Sequence, residues 1–79
     1  MSESRKTVRL RTLKAGVIAF DRSSISCVVR NISVLGACLE VTSPFGVPDT
    51  FTLQIESDQI KQQCHVAWMK DKRIGIQFV

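Results

Sequence analysis

Apolar and polar residues alternate one by one through most of this chain, and that period of two predicts strands almost throughout. Phe51, Leu53 and Ile55 alternate with Thr52, Gln54 and Glu56, the pattern of a half-buried strand. Ala37, Leu39 and Val41 take one face of residues 37–42, and Cys38, Glu40 and Thr42 the other. Ile25, Cys27 and Val29 alternate against Ser26 and Arg30 in residues 25–32, and Ile74, Ile76 and Phe78 against Gly75 and Gln77 in residues 73–79. A β-rich run over residues 15–21 and a strand over residues 61–70 complete the set. In residues 61–70, strict alternation puts Trp68 on one face with Cys64 and Val66, which reads as a core face.

Turn chemistry separates these runs. Asp21-Arg22-Ser23-Ser24, Ser57-Asp58 and Lys70-Asp71-Lys72 are polar turns, and two prolines and a glycine make residues 43–49 a loop. No segment of useful length carries a helical period. Six short strands with tight turns predict an all-β fold, a small six-stranded antiparallel β-barrel with no long helix, because closure removes exposed edges.

Composition narrows the class without changing that picture. The 79 residues, 44% hydrophobic and 23% charged, suit one folded domain with a modest core. No apolar run approaches membrane-spanning length, and the polar, basic N-terminus does not resemble a secretory signal. Cys27, Cys38 and Cys64 form an odd set at wide spacing, which argues for reduced thiols in a cytoplasmic protein and for small apolar fillers.

Charge is distributed unevenly. Residues 1–14 hold Arg5, Lys6, Arg9, Arg11 and Lys14 against Glu3, which accounts for the whole net charge of +4. From residue 15 onward, acids and bases balance. The chain therefore divides into a flexible basic arm, residues 1–14, and a neutral barrel, residues 15–79. An arm of this kind is suited to closing over an anion.

Within the arm, Arg5 and Arg9 form an R-x-x-x-R spacing. A guanidinium fork donates paired hydrogen bonds to phosphate oxygens or to guanine O6 and N7. The two arginines share one face if the arm turns helically and stand roughly 13 Å apart if it is extended, and either geometry spans two phosphates or two guanines. Within the body, Asn31-Ile32-Ser33-Val34-Leu35-Gly36 sets an amide and a hydroxyl two residues apart, ahead of a glycine. These groups suit a base edge or a phosphate oxygen, and they also suit turn chemistry on their own backbone. Gly36 reads as structural, through the backbone angle it permits.

An R-x-x-x-R ahead of the first strand, followed by [D/N]-x-S-x-x-G between the second and third, resembles the PilZ domain family over nearly the whole chain, with Ile74-Gly75-Ile76-Gln77-Phe78 similar to its closing strand. The resemblance implies a bacterial, cytoplasmic receptor for the second messenger cyclic di-GMP. Arg5 and Arg9 would fold over the ligand, while Asn31, Ser33 and Gly36 meet it from the barrel. Ser4 stands where many members carry a further arginine, which bears on ligand stoichiometry. Ending at its last strand, the chain reads as a stand-alone adaptor that signals to a protein partner.

Other readings have weaker support. An adaptor of the same fold that binds no nucleotide would be expected to show a broken motif. A nucleic-acid-binding barrel would be expected to present several aromatics on one strand face, and here Phe51 and Phe78 fall on core faces. No nucleophile–base pair, carboxylate dyad or metal-ligand spacing suggests an enzyme, a metal or a cofactor, and His65 has no ligand-type residue at suitable spacing. Arg30 reads as part of a solvated strand face, and Arg11 and Lys14 as general electrostatic attraction.

Overall fold

The alternating runs close on themselves. A computed structural model describes residues 10–79, with side chains from Leu13 onward. The strands are β1 (Leu10–Phe20), β2 (Ser23–Ile32), β3 (Gly36–Glu40), β4 (Thr50–Ile55), β5 (Ile60–Lys70) and β6 (Arg73–Phe78). They form a closed antiparallel barrel, as the turn spacing predicts, and the strand order around it is β1-β2-β3-β6-β5-β4. A 3₁₀ turn, Glu56–Asp58, links β4 to β5. The first strand starts earlier than the alternation suggests: residues 10–14, assigned by charge to the arm, belong to the barrel wall.

Inward-facing residues of every strand fill the interior. Ile18, Val29, Leu39, Leu53, Ile55, Cys64 and Ile74 are fully buried, with Phe51, Val41 and Ile76 beside them. No polar side chain is buried among the described residues, so the core is held by apolar burial alone. Asp21 and Asp71 open the two tightest hairpins at φ 49° and 57°, left-handed angles that aspartate tolerates better than most residues.

The seam between β1 and β4 is short, pairing only Val17–Ala19 with Thr52–Gln54. Beyond it, Lys14 Nζ bridges to the Asp58 carboxylate at 2.6 and 2.7 Å, joining β1 to the 3₁₀ turn. Both side chains are partly solvated, so the pair contributes about 0–1 kcal/mol.

Two irregularities decide which side chains leave the core. On β2, Val29 pairs with Leu39 but Asn31 with Cys38, so Arg30 is an extra residue and the phase of the strand slips by one. On β5, Val66 pairs with Ile76 but Trp68 with Gly75, and Ala67 is the extra residue. Each bulge flips the next residue to the opposite face. Trp68 is therefore not a core residue on the face of Cys64 and Val66; it lies outside, 49% exposed.

Candidate functional site

The loop after β2 is built by its own polar groups. The Ser33 backbone N–H donates to the Gly36 carbonyl at 2.8 Å, and the Ser33 hydroxyl accepts from the Leu35 N–H at 3.2 Å. Ser33 thus carries the turn chemistry that a serine at this spacing suggests. The Phe78 N–H donates to the Leu35 carbonyl at 2.9 Å, tying the loop to the end of β6. Gly36 is structural for a different reason from the expected one. Its φ is not positive; a Cβ there would overlap the Ile76 carbonyl, so glycine is required for close approach of β3 to β6.

Beside this loop the outer wall carries a continuous row across β2, β3, β6 and β5: Asn31 pairs with Cys38, Cys38 with Gly75, and Gly75 with Trp68. The two middle members are small, so the row is hollow at its centre. A Cβ on Gly75 would overlap the Trp68 indole, which lies against the β6 backbone where a side chain would otherwise stand. The hollow has a volume of about 320 Å³, and Asn31, Ser33, Gly36, Cys38, Trp68 and Gln77 are among its lining residues. Above it, His65 Nε2 and Gln77 Oε1 lie 2.9 Å apart and join β5 to β6. Below it, Arg30 Nη1 donates to Glu40 Oε1 at 2.7 Å.

Asn31, Ser33 and Gly36 are thus brought together at one concavity. Arg5 and Arg9 lie outside the described residues. The described part of β1 begins beside the loop, where Leu10 pairs with Ile32 and Arg11 with Asn31. Sequence reasoning did not bring Trp68, Cys38 and Gly75 to this hollow. Signals for them were present in the small residues Cys38 and Gly75 and the lone tryptophan, but pairing them needs the register.

A larger concavity of about 1210 Å³ lies at the β1 seam, lined by residues including Lys14, Gly16, Cys27, Gln54 and Lys61. None of the motif residues lines it, so chemistry rather than size selects the smaller hollow. Cys27 and Cys64 are buried in the core, and burial pushes both thiols up to about 11 from a usual 9.0, which leaves them protonated and inert near neutrality. Cys38, on the outer wall, is only partly buried and departs from the filler role expected of all three. Among the described residues, no helix is long and apolar enough to cross a membrane.

The fold is thus a closed six-stranded barrel with a polar-and-aromatic hollow on its outer wall. The family model described as PilZ domain matches residues 3–79, and the chain belongs to that family. No curated protein matches the chain.

Proposed function

We propose that this protein is a non-catalytic, cytoplasmic bacterial receptor for cyclic di-GMP. In this reading a guanine base occupies the hollow between Asn31 and Trp68, and Arg5 and Arg9 close over the phosphates. The observation that carries it is the register of β1: Leu10 and Arg11 pair with Ile32 and Asn31, so the R-x-x-x-R segment joins the barrel directly beside the Asn31–Ser33–Gly36 loop. The groups of these two segments, far apart in sequence, suit one ligand.

The chemistry divides between them. The hollow, at about 320 Å³, holds only part of a dinucleotide and leaves the remainder for the arm to cover. Indole and purine faces attract by stacking, worth about 1–3 kcal/mol per base. The Asn31 amide offers both donor and acceptor to a base edge, while guanidinium forks meet phosphate oxygens or guanine O6 and N7. Ordering the arm costs entropy, which these charge-assisted bonds offset. The change of surface at the arm is what a partner protein would read. Membership of the PilZ family supports the ligand assignment.

Calorimetric titration with cyclic di-GMP tests the proposal, with GTP and the Arg9→Ala variant as controls and Trp68 emission as a parallel readout. Saturable binding by the native protein, selective over GTP and at least about tenfold weaker in Arg9→Ala, is expected. Absence of both heat and emission change would leave a nucleotide-independent adaptor as the better reading.

A further inference from the structure

Outward-facing residues of β3, β6 and β5 form successive rows along the barrel wall. One row below the hollow, Glu40 pairs with Arg73 and Arg73 with Lys70, while the bulge on β2 turns Arg30 toward the same carboxylate. Glu40 lies two residues from Cys38 on β3, and Arg73 two residues from Gly75 on β6. The row is therefore about 7 Å from the floor of the hollow, within reach of an arginine side chain.

A single oxygen, Glu40 Oε1, takes both guanidinium groups: Arg30 Nη1 at 2.7 Å and Arg73 Nε at 4.0 Å. Arg30 and Arg73 thus face one carboxylate, with Lys70 beside Arg73 on this row and Asp71 and Lys72 in the adjoining hairpin turn. All three members of the ion cluster remain substantially solvated, so their geometry is readily exchanged.

We propose that Arg30 and Arg73 form a phosphate subsite at the lower edge of the hollow, and that Glu40 sets its affinity by competing for the two guanidinium groups. The assignment to cyclic di-GMP rests on the functional reading above; the anion subsite itself does not. An incoming phosphate offers several acceptor oxygens where Glu40 offers both guanidinium groups the one Oε1, and the displaced carboxylate turns to water. Glu40 therefore acts as an internal competitor. Its removal leaves two unopposed guanidinium groups beside the ligand.

The test titrates native protein, Glu40→Gln and Arg73→Ala with cyclic di-GMP by calorimetry, and with inorganic pyrophosphate by nitrogen-15 NMR of the arginine Nε–H groups. Thermal melts of each variant separate loss of fold from loss of binding. Glu40→Gln is expected to bind cyclic di-GMP about three- to tenfold more tightly, with the gain shrinking as salt is raised. Arg73→Ala binds more weakly than native protein and abolishes the gain when combined with Glu40→Gln. Pyrophosphate moves the Arg30 and Arg73 resonances at lower concentration in Glu40→Gln than in native protein. Equal affinities for native and Glu40→Gln protein, or arginine resonances that pyrophosphate leaves in place in Glu40→Gln, would overturn the subsite. If no variant binds cyclic di-GMP, the ligand reading falls, and the pyrophosphate titration still decides the subsite.

Discussion

Gly36 and Gly75 stand on neighbouring strands of the same wall, and each excludes a methyl group for a different physical reason. At Gly36 the obstacle is the backbone of β6, which moves only if the strand pairing moves with it. Gly36→Ala is therefore expected to cost about 1–3 kcal/mol, read as a lower urea midpoint. At Gly75 the obstacle is the indole of Trp68, a half-exposed side chain with room to swing outward. Gly75→Ala is expected to change stability by less than about 0.5 kcal/mol while red-shifting Trp68 emission and weakening cyclic di-GMP binding. If the two variants lost stability equally, Trp68 would be a packing residue and not a wall of the site.

At the scale of the element, the bulges on β2 and β5 turn core strands into site-bearing strands. Arg30 and Ala67 each add one residue, and each reverses the face of its successor, Asn31 in one strand and Trp68 in the other. Strict alternation through Arg30 and Ala67 would instead put Asn31 with Cys27 and Val29 on the inner face, and Trp68 with Cys64 and Val66. Deletion of Ala67 removes the extra residue, so plain alternation from Val66 leaves Trp68 outside and opposite Gly75, and Trp68 emission in the folded protein is expected to stay near its native position. Blue-shifted emission with a lower urea midpoint would show instead that the strand re-forms a bulge elsewhere and turns the indole inward.

For the molecule as a whole, the barrel divides the cysteines into two chemical classes. Cys38 alone is partly solvated, while Cys27 and Cys64 are sealed in the core. A thiol-exchange reagent is expected to titrate Cys38 in the native state and the other two only on unfolding; early reaction of all three would mean that the barrel opens readily. The same burial sets an alkaline limit. Both core thiols have folded-state values of about 11, raised from 9.0, so the unfolded chain gives up its protons first. Their contribution to stability is complete below about pH 9 and is lost as pH rises through 11, on the order of 1–3 kcal/mol for each thiol. Urea midpoints measured across that window should fall in native protein and fall less in Cys27→Ala/Cys64→Ala, whose starting stability is lower.

The alternation of single residues determined the strands, their core faces and the barrel, because a period of two is a local property and burial of one face results from it. Asn31-Ile32-Ser33-Val34-Leu35-Gly36 was likewise legible as a polar turn ahead of a glycine, since turn chemistry is also local. Only the tertiary structure decided that Trp68 belongs to the same hollow as Asn31, that Gly75 makes room for it, and that Glu40 holds Arg30 and Arg73 together. These relations depend on a one-residue slip within a strand and on which strand lies beside which. A slip of one reverses every later side chain at almost no cost in composition, so the pattern along the chain carries no trace of it. Adjacency across the barrel is fixed by closure of all six strands together, which no single segment encodes.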